Sequence, residues 1–157
     1  MKTDEHFLRE AIRLARDNSA HGGRPFGAVV VKDDEIIATG VNQILATCDP
    51  TSHAELNAIR AASKKIGSPS LAGCRVYASG HPCPMCLAAM RMAGVSDIAY
   101  AYSNEDGAPY GLSTAAIYTE LARPLAEQSL KMRHVPARLE DSTDLYAEWK
   151  HRQTPSA

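Results

Sequence analysis

Two short segments set the terms on which this chain can fold. His53-Ala54-Glu55 and Pro82-Cys83-Pro84-Met85-Cys86 hold between them an imidazole, a carboxylate and two thiols separated by two residues. Thiolates and imidazole suit a borderline-soft divalent ion, and a zinc site with three protein ligands keeps its fourth tetrahedral position for water. One helical turn starting at the cysteines carries both sulfurs round a single ion at about 2.3 Å. Glu55 is then free to carry protons. Whatever the fold, it must bring His53 and the two cysteines to one point.

Other readings of the same residues compete with this one. Cys-x-x-Cys is also the pattern of a redox pair, or of two ordinary buried cysteines. Neither requires a His-x-Glu triplet upstream, so a metal is favoured. Ser52-His53-Ala54-Glu55 fits a capping box, in which Glu55 would reach back to the cap amide. With the cysteines present the proton-carrying role takes precedence, and Ser52 is left to cap its helix alone. Cys74 reads as a small buried hydrophobe, and Cys48 as a core or surface side chain more than a pocket residue. His81 as a fourth ligand would close the site and leave no place for water, so it is not counted. His6, His21, His134 and His151 have no ligand spacing.

Local pattern supplies the elements that carry these groups. Phe7, Leu8, Ala11, Ile12, Leu14 and Ala15 recur at helical spacing, predicting a helix from about Asp4 to Ser19 with Thr3 or Asp4 as cap. His21-Gly22-Gly23-Arg24-Pro25 breaks it. Phe26 to Val31 and Glu35 to Thr39 flank Lys32-Asp33-Asp34 as an antiparallel hairpin. Residues 43–52 read as a loop ending in a cap, and His53 to Lys65 as a helix ended by Gly67-Ser68-Pro69. Cys74 to Ser79 is expected as a strand, Pro84 to Ala93 as a helix closed by Gly94, and Asp97 to Tyr102 as a strand. A loop over 103–112, a short helix from Ser113 to Leu121 and a weak strand from Lys131 to Pro136 follow. The last element is a helix over Asp141 to His151, with Leu145, Tyr146 and Trp149 on one face. This order predicts a mixed sheet with helices against it, an α/β layered architecture forming a single domain over residues 1–157. Both ligand groups fall at helix starts, where unpaired amides and the dipole favour thiolate.

Bulk properties narrow the function. With 157 residues and 45% hydrophobic content the chain can bury a core unaided. Its 17 basic and 18 acidic side chains give a formal charge of -1, not a basic nucleic-acid footprint. No apolar run approaches membrane-spanning length, and Met1 to His6 is polar and acidic, unlike a secretory signal. Four cysteines do not make a disulfide scaffold here. A cytoplasmic enzyme that engages neither membrane nor nucleic acid is the expectation.

Thr51 to Arg60 and Pro82 to Cys86, together with Pro25 to Val31 and Asn42, resemble the cytidine deaminase-like superfamily, in particular its bacterial guanine deaminase and tRNA-adenosine deaminase branch. The likeness continues more weakly through Ile117-Tyr118 and Arg123 to Glu127. It implies a three-layer α/β sandwich, a mixed five-stranded sheet with helices on both faces, and a homodimer or higher oligomer. It also implies hydrolytic removal of an exocyclic amino group from a small nucleobase or nucleoside. By the same resemblance His53, Cys83 and Cys86 would bind Zn2+ and Glu55 would shuttle protons. Asn42, Phe26 and Ala54 would meet the substrate. Phe26 is equally a core residue of the first strand, and Asn42 a strand-end turn residue.

Three departures bear on substrate. His81 stands where most such relatives have glutamate. Ser113 and Thr114 stand where guanine deaminases of this type carry an acidic pair, so guanine's ring nitrogens lose an acceptor. The end, Gln153 to Ala157, has no aromatic terminus. Guanine and related aminopurines are expected ahead of cytosine or aminotriazines. Adenosine in tRNA comes second, because phosphate binding needs cations that this chain does not concentrate. A structural zinc module, which would need a fourth protein ligand, is the non-enzyme alternative.

Overall fold

The first helix, α1 (Asp4–Ala20), starts where Thr3 Oγ1 accepts from the His6 amide at 3.2 Å, with Asp4 and Glu5 facing the positive end of the dipole. Phe7, Ala11 and Ala15 form its buried stripe. The chain then turns back as the expected hairpin, β1 (Gly27–Lys32) and β2 (Glu35–Val41). Asp33 and Asp34 take left-handed φ values of 50° and 60°, the conformation with which a two-residue turn follows the twist of its strands. The computed structural model describes residues 1–141 and 144–153, which fall into two units, Met1–Ala122 and Arg123–Ala157.

In the first unit β3 (Arg75–Gly80) pairs antiparallel to β1, and β4 (Asp97–Tyr102) pairs parallel to β3, giving the order β2-β1-β3-β4. Alternation along β1 divides the core. Val29 and Val31 join Phe7 and Tyr77 on the α1 side. Ala28 and Val30 join Ala58 of α3 (Ala54–Ile66) and Met90 of α4 (Pro84–Ala93) on the other. The sheet is therefore mixed, with helices on both faces. Two glycines let the helices come down to it. A Cβ on Gly27 would overlap the Ala11 carbonyl oxygen, and one on Gly40 the Ala54 carbonyl oxygen, so α1 and the start of α3 lie directly on the strand backbones.

Among the described residues the sheet has four strands and not the five that the resemblance implies. Lys131 to Pro136, the weak strand of the sequence pattern, is irregular and exposed throughout. Its two apolar residues, Met132 and Val135, do not share the period-two face that a half-buried strand needs, and Pro136 removes a donor. Helix is gained in two expected loops. One is α2 (Ile44–Thr47). The other is α5 (Asn104–Gly107), held by a capping box between Ser103 and Asp106 and followed by a 3-10 turn over Ala108–Tyr110. Next comes α6 (Ala115–Leu121).

In the second unit α7 (Leu145–Gln153) begins later than expected, because Asp144 Oδ1 accepts from the Tyr146 and Ala147 amides, both at 3.0 Å. Leu145, Tyr146 and Trp149 are all exposed. The expected features at residues 142–143 and in the terminal Thr154 to Ala157 lie outside the described residues. Among the described residues no helix is long and apolar enough to cross a membrane.

Candidate metal and active site

Both ends of the ligand set are helix caps diverted from capping. His53 is the N-cap of α3 and Cys83 the N-cap of α4. Both have extended backbone, and neither makes a side-chain capping bond. An N-cap side chain ordinarily accepts from an amide of the first turn. Here imidazole and thiol turn towards each other instead. Pro84 fills the first position of α4, where a missing N–H costs nothing, and Cys86 at the third position lies on the same side as Cys83. The expected Ser52 cap is not formed. Helix α3 starts one residue later than a Ser52 cap requires, and Ser52 Oγ accepts from Asn57 Nδ2 at 3.1 Å. That shift also moves Glu55 to the second helical position, outside capping-box geometry.

The three donors converge. Each sulfur lies 3.4 Å from His53 Nδ1, and the two sulfurs are 3.6 Å apart. A tetrahedral zinc with bonds of about 2.3 Å to sulfur and about 2.0–2.1 Å to nitrogen needs its ligand atoms roughly 3.6–3.8 Å apart. The residues thus fit the ion to within a few tenths of an ångström. Among the described residues the convergent metal-binding group consists of these three, without the fourth ligand of a closed structural site.

Electrostatics agree with the geometry. The sulfur–sulfur hydrogen bond, helped by the His53 ring against the cost of burial, holds the Cys83 thiol down at about 4. Cys86 is pushed up by the same bond and by burial, so one sulfur keeps the proton the other gives up. Two adjacent thiolates require a cation between them, and a divalent ion supplies it. The His53 ring is raised by its hydrogen bond to Cys83 and lowered by burial and, more weakly, by the charge of Arg24. Glu55 is 5% exposed, and desolvation lifts its carboxyl while the Cys86 hydrogen bond opposes. A buried carboxyl lifted in this way accepts and returns a proton readily.

Beside these groups opens a cavity of about 210 Å3 that reaches His53, Glu55 and Cys83. Phe26, Asn42 and Ala54, the residues assigned to substrate from the sequence, all line it. Both readings of Asn42 describe something present. Its Oδ1 accepts from the Ile44 amide at 3.2 Å as a turn residue does, while among the described residues its Nδ2 has no partner. Phe26 likewise packs against the core on the α3 side while facing the cavity. His81, Ser113 and Thr114 also line it. His81 is held away from the ligand set, its Nδ1 3.0 Å from the Pro82 carbonyl oxygen and 3.3 Å from Asn104 Nδ2. Cys74 is core and Cys48 exposed.

Several residues of the site were not assigned their roles from the sequence. Tyr118 of α6 donates its hydroxyl to the Pro82 carbonyl, pinning the loop that carries Cys83. Asn104 Oδ1 accepts from the Thr114 amide at 3.1 Å, tying two cavity-wall segments together. Asn57 Nδ2 reaches the Val41 carbonyl at 2.8 Å and fixes α3 on β2. Arg24 and Leu112 complete the rim. A capping or loop residue has the same local pattern in either role, so only contacts distant in sequence distinguish them.

Residues 1–102 match the family model described as the cytidine and deoxycytidylate deaminase zinc-binding region. The guanine deaminase of Bacillus subtilis (strain 168) is 42% identical over 132 residues, covering 83% of this chain and 85% of that protein. The tRNA-specific adenosine deaminase of Aquifex aeolicus (strain VF5) is 30% identical over 146 residues, 92% of each. The X-ray structure of the Bacillus subtilis guanine deaminase superposes with a TM-score of 0.84 at 38% identity, covering 99% of this chain and 98% of that one.

Proposed function

Because this chain belongs to the cytidine and deoxycytidylate deaminase zinc-binding family, we infer that it removes the exocyclic amino group from a free nucleobase or nucleoside, with guanine or a related aminopurine as substrate. One observation carries the reading. The buried Glu55 carboxyl lies with His53 and Cys83, two of the three convergent zinc donors, on the floor of one cavity. Its about 210 Å3 corresponds to roughly seven water volumes, the scale of a single purine ring system.

His53, Cys83 and Cys86 would hold the zinc, which would supply the Lewis acidity that makes water nucleophilic near neutral pH. Glu55 takes a proton from that water as its oxygen bonds to the amino-bearing ring carbon. Glu55 then protonates the adjacent ring nitrogen, takes the second proton from the hydroxyl now on that carbon, and delivers it to the amino nitrogen as its bond to carbon breaks. Ammonia leaves and a ring carbonyl remains. Asn42, through its free Nδ2, hydrogen-bonds an acceptor on the ring, Phe26 packs on the ring face, and the backbone at Ala54 borders it.

The likeness to a tRNA adenosine deaminase over nearly the whole chain supports a second reading, adenosine in RNA. The formal charge of -1 weighs against it, since RNA phosphates require clustered cations. We assign the protein to the cytoplasm, as suits four free cysteines, and to a homodimer, as suits exposed Tyr100 and Tyr102 on the strand that ends the sheet. Light scattering that returns a monomer mass would overturn the dimer. The deciding experiment is ammonia release from guanine, isoguanine, adenine, cytosine, ammeline and the matching nucleosides. Turnover of guanine or another aminopurine is expected. Turnover of cytosine or ammeline alone, or of tRNA alone, would overturn the aminopurine reading.

A further inference from the structure

Away from the metal ligands and Glu55, the cavity wall carries two ionisable side chains, His81 and Arg24. Asn42, Ser113 and Thr114 supply amide and hydroxyl groups, Phe26 and Leu112 apolar surface, and Arg24 a permanent positive charge. Arg24 lies in the loop between α1 and β1, exposed at the rim, with its backbone carbonyl held by Asn18 Nδ2 at 2.8 Å. Among the described residues its guanidinium has no ion-pair partner.

What such a group can read follows from the aminopurine reading above, on which this inference rests. The amino group to be removed must point at Glu55. In guanine that group is on C2, which turns the carbonyl oxygen on C6 and the ring nitrogen N7 away from the floor, towards the rim. These are two adjacent acceptors. A guanidinium offers five donors in a planar fork and no acceptor, and its two-pronged bond to this edge is the commonest base-specific contact by which proteins read guanine in DNA. We propose that Arg24 is a specificity-determining residue whose guanidinium takes the carbonyl oxygen and N7 of a 6-oxopurine, selecting it over purines with an amino group on that edge. A donor-only side chain repels such an amino group.

The test compares guanine with 7-deazaguanine, which lacks only the N7 acceptor, using the full zinc-loaded chain and its Arg24→Met and Arg24→Lys variants. Because the two compounds are compared within each protein, their intrinsic reactivities cancel between proteins. The wild type is expected to favour guanine in kcat/KM by about tenfold. Arg24→Met is expected to lose that preference at unchanged zinc content and melting temperature, and Arg24→Lys, a point charge without the fork, to recover only part of it. An equal ratio in wild type and Arg24→Met, or a full ratio in Arg24→Lys, overturns the proposal while leaving the aminopurine reading intact. No ammonia from guanine with the wild type overturns the role of Arg24, and the aminopurine reading falls with it only when isoguanine and adenine release none either.

Discussion

The two faces of the sheet are built from different materials. On the α1 face large side chains interlock. Phe7 and Tyr77 lie 5.0 Å apart, and the Arg75 guanidinium lies over both rings at 5.8 and 5.6 Å while pairing with Asp34 at 2.9 Å. Tyr77 donates its hydroxyl to Asp4 at 2.6 Å. On the α3 and α4 face the helices present alanines and sulfur, with Ala54, Ala58 and Ala62 beside Cys74, Cys83 and Cys86, and Glu55 buried next to them. Small residues bring helix backbones close to the strands, which sets ligand positions finely, while Leu56, Leu71, Val76 and Met90 bury beside them. Burial stabilises by about 25 cal/mol per Å2, so both faces hold the sheet together, and the α3 and α4 face adds precision at the ligands.

That division can be broken in four places. The largest effect is expected on the sulfur face. His53→Ala and Cys86→Ser should each lose both stoichiometric zinc and turnover, whereas Glu55→Gln should keep zinc and melting temperature and lose about 10^2–10^4 in kcat. Metal analysis beside ammonia release reads this, and a Glu55→Gln protein with near-normal turnover would remove the carboxyl from the mechanism. On the opposite face Phe7→Ala should cost about 3–5 kcal/mol in denaturant unfolding while the folded fraction still binds zinc one to one. Loss of zinc from folded Phe7→Ala would mean that the faces are not separable.

A finer comparison uses the two glycines. Gly27→Ala and Gly40→Ala both force a helix backbone off the sheet and should cost about 1–3 kcal/mol each, but only Gly40→Ala, which displaces Ala54, should weaken zinc binding. Equal zinc affinity in the two variants would contradict the assignment of precision to one face. The smallest effect is in pH. Burial and the hydrogen bond to Asp4 push the Tyr77 hydroxyl up to about 12 from its ordinary 10.0. A raised acid favours the neutral form in the folded state, so its stabilisation is full below pH 10.0 and is lost as pH rises towards about 12. Thermal melts should decline over that window in the wild type, and less in Tyr77→Phe.

The sequence alone carried the local elements, and for a reason visible in each. The period-3.6 stripe of α1, the Asp33-Asp34 turn, and Gly67 and Gly94 closing α3 and α4 in left-handed conformations are dictated by residues that touch one another. So is the identity of the metal ligands, because only a few residue types bind zinc and their spacing fits one helical turn. Missed were features that depend on partners far along the chain, such as the bond from Tyr118 to Pro82 and the link from Asn104 to Thr114. The strand count failed differently, since a fifth strand was implied by the family likeness while residues 131–136 lack a period-two apolar face and end in a proline.

What this chain's residues determine by themselves is therefore a chemistry, namely imidazole, two thiols and a carboxyl at helix starts. Tertiary structure decided the rest. It chose Nδ1 of His53 over its other nitrogen, set the donors 3.4 to 3.6 Å apart, took Ser52 away from capping, and brought Arg24 to the rim of the cavity. Composition and spacing specify which bonds a side chain is able to make. Which of them it makes is fixed only when packing brings a partner within about 3 Å.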